Sequence, residues 1–206
     1  MNVHTQALQL QGQVGLVEAL LDEPEGRVQG TAVIAHPHPL FGGTMNNKVV
    51  QTLARAFVQC GWRAVRFNFR GVGASQGEHD AGTGEAQDML EVVQQVAPQG
   101  PLALAGFSFG AFVTSHVVVA LGDRRPDKLV LVGTAASRFD VAPVPQDVHE
   151  QTLVLHGEQD DTVPLDSVMH WARPQHLPVT VIPGVEHFFH GQLPLLKTLV
   201  ARHLRA

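Results

Sequence analysis

The chain has 206 residues, 44% hydrophobic and 16% charged, with a formal net charge of −5 and one cysteine, Cys60. Such a composition can bury a core and excludes a disordered chain, and the length predicts a single domain over 1–206. The acidic balance argues against nucleic acid and polybasic membrane docking. The lone cysteine excludes an internal disulfide framework and any Cys-rich metal or iron–sulfur site.

Along the chain, residues 5–10 and 14–21, separated by Gln11, Gly12 and Gln13, predict a β-hairpin. The apolar run TAVIAH (31–36) predicts a strand leading into the loop HPHPLFGGT. Residues 46–60 place Val49, Val50, Leu53, Ala54 and Phe57 at helical spacing, and Gly61 follows as a stop. A strand is expected over 62–69, a Gly-rich turn after it, and a helix over 84–97. The run LALAGF (102–107) predicts a strand running into a helix that begins near Ser108. Strands at 128–134 and 152–157, a helix at 165–173, a strand at 178–184 and a helix at 191–204 complete the chain. The later strands are continuous apolar runs rather than alternating ones, as expected when both faces are covered. The fold class is therefore α/β: a three-layer α/β/α sandwich with a mostly parallel sheet and an N-terminal antiparallel hairpin. In such sheets chemistry collects at the C-terminal ends of the strands.

The opening MNVHTQALQLQGQV has no basic start, no apolar block and no small-residue cleavage site, so no secretory leader is expected. No run approaches the ~20 apolar residues that span a bilayer. The mild acidity and single cysteine fit a cytoplasmic location.

Gly106-Phe107-Ser108-Phe109-Gly110 is a G-x-S-x-G motif at a strand-to-helix junction. Its glycines permit a tight turn that exposes the serine oxygen and sets the Phe109 N–H at a helix N-terminus, ready to stabilise an oxyanion. A serine hydroxyl needs a base, and the base an orienting acid. With such an elbow the order is Ser, then Asp or Glu, then His. Strand 152–157 runs into Glu158-Gln159-Asp160-Asp161, and strand 178–184 into Val185-Glu186-His187-Phe188-Phe189. Ser108, Asp160 and His187 fall in the required order. Asp161 and Glu158 compete with Asp160 for the acid, because a carboxylate after a strand also serves as a turn former. Phe188 and Phe189 are expected to pack beneath the loop and hold the imidazole.

These segments (HPHPLFGGTMNN, FNFRGVGASQGE, GFSFG, HGEQDDTVP and GVEHFF) resemble, in order from 36 to 189, the small capless dienelactone-hydrolase-like members of the α/β-hydrolase superfamily. The resemblance implies a serine esterase that needs no cofactor and no metal, with Ser108 as nucleophile, Asp160 as acid and His187 as base. Dienelactone hydrolases proper use cysteine where Ser108 stands. The resemblance also implies that a backbone N–H within His38–Leu40 is the second oxyanion donor. Pro39 has no N–H; Leu40 is favoured over His38. The turn GVGASQG fails the full dinucleotide-binding pattern and is read as structural; in the resembled family it shapes one wall of the site. His36, His38, His187 and His190 lack a metal-ligand spacing pattern; His36 is read as a polar strand end and His190 as a first-turn helix residue. Cys60 is read as buried.

Only 16 residues separate Thr134 from Gln151, too few for a helical lid. An open site lined by Leu40, Phe41, Phe109 and Phe139 is expected. The sequence thus predicts hydrolysis of small, short-acyl carboxylic esters, with a thioesterase, a small peptidase or a noncatalytic binding protein as alternatives. The expected partner is a small ester, with no nucleic acid and no membrane. Monomer and homodimer stay open.

Overall fold

The computed structural model describes residues 5–206; the first four residues of the opening segment read for a leader lie outside them. Strands β1 (Thr5–Gly12) and β2 (Gly15–Asp22) form the hairpin. Gly12 pairs with Gly15, so the turn is Gln13-Val14, shifted from the expected Gln11–Gln13. The strands β3 (Gly30–Ala35), β4 (Trp62–Phe67), β5 (Leu102–Phe107), β6 (Lys128–Val132), β7 (Thr152–Gly157) and β8 (Val179–Ile182) follow. All belong to one eight-stranded sheet in the order β1-β2-β4-β3-β5-β6-β7-β8. β2 pairs antiparallel with both β1 and β4; the other pairings are parallel.

The strand alternation assigns each side chain to a layer. Ala32 and Ile34 of β3 face α1 (Lys48–Gln59) and α5 (Leu193–Arg205), whereas Val33 and Ala35 face α2 (Thr83–Val96) and α3 (Phe109–Ala120). The short α4 (Leu165–Ala172) adds Val168 and Ala172 to the second layer. Every residue of β5 is buried, as its apolar run requires in a strand covered on both faces. Full burial of each large side chain, such as Phe57 or Leu104, contributes about 1.5–3 kcal/mol.

Local signals set the helix limits. Asn47 Oδ1 accepts from the Val49 N–H at 2.8 Å, so α1 starts two residues later than its apolar spacing suggests. Cys60 is buried at the end of α1, where its thiol faces the Ala201 carbonyl. Glu85 reaches back to the amides of Gly82 and Asp80 at 2.8 and 2.9 Å and caps α2. α5 begins at Leu193 with Pro194 in its first turn, so His190 lies before the helix rather than in it.

Buried ion pairs and hydrogen bonds tie β2, β4, the turn after β4 and α2 together. Arg66 meets Asp22 at 3.0 Å, and Arg70 meets Asp88 at 2.7 Å. The Gly-rich turn is a brace. Ser75 Oγ donates to the Asn68 carbonyl and accepts from the Glu18 N–H, and Glu18 Oε2 accepts from Asn68 Nδ2 and the Ala74 N–H.

The chain reverses its direction of travel across the sheet at β3, since β4 lies on one side of it and β5 on the other. The loops after β3 and β5 therefore diverge and leave a crevice at the strand ends. Residues 134–151 contain no α-helix; they run as coil into a 3-10 turn at Gln146–Gln151 and leave the crevice without a helical lid. No helix among the described residues is long and apolar enough to cross a membrane.

Candidate active site

Ser108 stands between β5 and α3 with φ 57° and ψ −117°, in the left-handed region that costs a non-glycine residue about 1–3 kcal/mol. The flanking glycines make this conformation possible. A Cβ on Gly106 would sit 2.3 Å from the Gly110 carbonyl oxygen, and one on Gly110 would sit 2.4 Å from the Ala35 carbonyl oxygen. Both obstacles are backbone and cannot swing aside. The Ser108 N–H donates to the Val132 carbonyl at 2.8 Å and anchors the turn to β6.

His187 follows β8, and its Nε2 lies 3.0 Å from Ser108 Oγ. Its Nδ1 lies 2.6 Å from Asp160 Oδ2. With the imidazole proton on Nδ1 and donated to Asp160, Nε2 is free to accept from the serine hydroxyl. The other Asp160 oxygen accepts from the amides of Thr162 and Val163 at 3.0 and 2.7 Å, which fixes the carboxylate. All three side chains are buried; Ser108, the most accessible, is 8% exposed. The competing acids face outward. Asp161 reaches only the Thr162 hydroxyl, and Glu158 accepts from the Gly184 N–H.

The imidazole is packed from below by the Phe107 ring, at a centroid distance of 4.9 Å, and by Gly133, where a Cβ would come within 3.2 Å of the ring. Of the two phenylalanines expected beneath the loop, Phe189 is fully buried, with φ 56°. Phe188 instead turns outward onto the wall of the cleft, being 41% exposed. Consecutive residues cannot both point into the core through this turn. Glu186 holds the turn by accepting from the Phe188 and His190 amides. Burial pushes its carboxyl up, but those two amides together with the His190 and His187 charges outweigh burial and hold it below its usual value.

A cleft of about 330 Å³ opens over Ser108, walled by Phe41, Phe109, Phe139 and Phe188 with His38 and Arg138. Leu40, expected in this wall, does not line it; its side chain is 70% exposed. The Leu40 N–H donates to His38 Nδ1 at 3.2 Å, so that amide already has an acceptor. The His38 N–H, on a residue that does line the cleft, donates to no protein acceptor among the described residues. Phe109 is the first residue of α3, so its N–H has no intrahelical acceptor. Gly43 lets the loop fold tightly, since a Cβ there would meet the Pro37 carbonyl oxygen at 2.0 Å. No residue of 70–77 lines the cleft, so the Gly-rich turn braces the hairpin and is not a wall.

Two buried histidines escaped the sequence reading as parts of the site's frame. His36 is a tie between loops: its Nδ1 faces the Pro37 carbonyl at 2.6 Å, and its Nε2 accepts from the Phe69 N–H at 3.0 Å. Burial pushes it down from 6.5 to about 4. His156, near the end of β7, donates from Nε2 to the Val163 carbonyl at 2.9 Å and lies 3.5 Å from Asp160. Burial lowers it too. A histidine inside the apolar run TLVLHG was the available signal. Arg138, in an irregular loop, carried none.

A family model described as serine aminopeptidase, S33, matches residues 28–146. Among solved structures, the chain is similar to XC6422 of Xanthomonas campestris, an α/β serine hydrolase without a lid. That match has 36% identity and a TM-score of 0.88, covering 100% of this chain and 95% of the other. It is also similar to an α/β serine hydrolase homologue from Coxiella burnetii, at 40% identity and a TM-score of 0.82, covering 97% of each. Over 115 residues, 52% of this chain but 36% of the relative, it is 35% identical to the mitochondrial palmitoyl-protein thioesterase ABHD10 of Homo sapiens.

Proposed function

The chain belongs to the serine aminopeptidase S33 family of the α/β-hydrolase superfamily, and from that premise we propose that it hydrolyses small carboxylic esters through Ser108, His187 and Asp160. The observation that carries this reading is the continuous hydrogen-bonded chain from Ser108 Oγ through His187 to Asp160, at 3.0 and 2.6 Å, on a strained serine facing an open cleft.

Ser108 Oγ attacks the ester carbonyl carbon while its proton passes to His187 Nε2. Asp160 orients the ring and stabilises the imidazolium. The developing oxyanion is held by the Phe109 N–H and, in the loop after β3, by the His38 N–H rather than that of Leu40, which is already engaged. Collapse of the intermediate expels the alkoxide, which takes the proton from His187 and leaves an acyl-Ser108. Water then adds to the acyl carbon, giving its proton to His187, and the carboxylic acid departs as Ser108 recovers its proton. The open cleft admits this water, which favours hydrolysis over acyl transfer. A short acyl group suits a cleft of this size and its aromatic wall. A thioester is the second reading, favoured by the similarity to the ABHD10 thioesterase; the same groups would serve it. The single cysteine and mild acidity support a cytoplasmic setting.

The test is labelling by a fluorophosphonate probe of wild type, Ser108→Ala and His187→Ala, beside turnover of p-nitrophenyl esters from acetate to octanoate. Labelling and turnover in wild type alone are expected. A folded wild type that neither labels nor turns over an ester refutes the proposal and leaves the noncatalytic reading.

A further inference from the structure

The cleft over Ser108 is lopsided in charge. Its lining contains no carboxylate: Asp160 is enclosed behind His187, and neither Asp140 nor Asp161 is among the lining residues. The lining does contain Arg138, an exposed guanidinium with no salt-bridge partner among the described residues. Five of the ten other arginines also lack a salt bridge among the described residues, but Arg138 is the one arginine in the lining of this apolar cleft.

Beside the Ser108 and Thr162 hydroxyls, two other polar side chains of the lining offer donors. Asn47 commits its Oδ1 to the Val49 N–H, so its amide NH₂ is what remains to offer. His38 accepts the Leu40 N–H on Nδ1, so the neutral ring carries its proton on Nε2. Burial, the neighbouring His79 and the Arg138 charge favour that neutral form and prevail over the Glu85 carboxylate, which pulls the other way. Around an aromatic wall, the cleft thus presents a guanidinium, an amide NH₂ and an imidazole N–H, with no carboxylate in the lining itself.

We propose that the substrate carries an anionic group, a carboxylate in the simplest case, held by Arg138 while its ester carbonyl lies at Ser108. This rests on the hydrolase reading above and narrows it from small esters to small anionic ones. Arg138 acts as a specificity residue: its planar fork of N–H donors matches a carboxylate, and an apolar cleft with no carboxylate in its lining leaves that contact unopposed.

Two pairs of esters test it. Mono-p-nitrophenyl adipate against p-nitrophenyl hexanoate places the charge on the acyl side. 4-Carboxyphenyl acetate against its methyl ester places it on the leaving group. The readout is the ratio of kcat/KM for the anionic over the neutral member in wild type, Arg138→Gln, Arg138→Lys and Arg138→Glu. In at least one pair the ratio is expected to fall about tenfold or more in Arg138→Gln, the range of a hydrogen bond to an ionised group. It should fall further in Arg138→Glu and be partly kept in Arg138→Lys. Raising salt should lower it in wild type, since the arginine is exposed. Ratios that do not change with residue 138 in either pair overturn the proposal. Failure of the hydrolase reading looks different: none of the four esters is turned over. In that case calorimetric binding of monomethyl adipate against methyl hexanoate to wild type and Arg138→Gln decides. An Arg138-dependent preference for the acid supports the anion site, and equal binding overturns it.

Discussion

Acidification should unfold this protein in part through one histidine. His36 is fully buried, with Nδ1 committed to the Pro37 carbonyl and Nε2 to the Phe69 N–H. A second ring proton would have to enter on Nε2, against an amide hydrogen, in a site without solvent. Burial accordingly pushes the ring from 6.5 down to about 4. Between those pH values the unfolded chain binds a proton that the folded chain refuses, so stability is complete above pH 6.5 and is lost as pH falls towards 4. At 1.36 kcal/mol per pH unit the loss is about 3 kcal/mol. Urea denaturation of wild type and His36→Gln from pH 7.5 to 4 measures it. The variant starts less stable, but the gap between the two should close by about 3 kcal/mol across the window, since the other titrating groups are common to both. Parallel stability curves would refute the reasoning. So would an NMR titration in which the His36 ring of the folded wild type gains its proton near pH 6.5.

Three further outcomes follow from the geometry. Asp160→Asn should keep the fold but lower kcat on p-nitrophenyl acetate by about 10⁴-fold, the loss seen when the orienting acid of a serine triad is neutralised; a drop below tenfold would remove Asp160 from the mechanism. Gly110→Ala drives a Cβ against the Ala35 and His36 carbonyl oxygens. It should cost about 2–3 kcal/mol, seen as a melting temperature lower by ~4–12 °C, with a loss of activity as the elbow shifts. Asp88→Ala strands the buried Arg70 guanidinium and removes the acceptor of the Gln13 N–H. A loss of about 3–5 kcal/mol in chemical denaturation is expected, with Arg70→Met recovering part of it in the double variant.

The layered sheet was legible because its signals are local. Apolar runs such as LALAGF and KLVLV, separated by helical spacing and glycines, specify covered strands and crossovers without knowledge of the partner. The elbow was legible for the same reason: Gly106, Ser108 and Gly110 announce a turn that only small flanking residues can make. The limits of β1 and α5 were read less well, since a pairing register and a proline in the first turn set them.

What the sequence determined by itself was the kind of chemistry and its order along the chain, because a serine at a glycine elbow followed by an acid and a histidine after later strands is a linear pattern. The tertiary structure decided what neighbouring residues of similar type could not tell apart. Asp160 and Asp161 share the same turn, and only the fold shows which one faces His187, 27 residues away. Leu40 and His38 share the same loop, and only the fold shows the Leu40 amide held by the His38 ring. Arg138 enters the cleft beside Ser108 by the path of an irregular loop. Each of these is a contact whose partners are set by how the loops pack over the strand ends, and side-chain direction at such a packed surface has no period that a sequence can display.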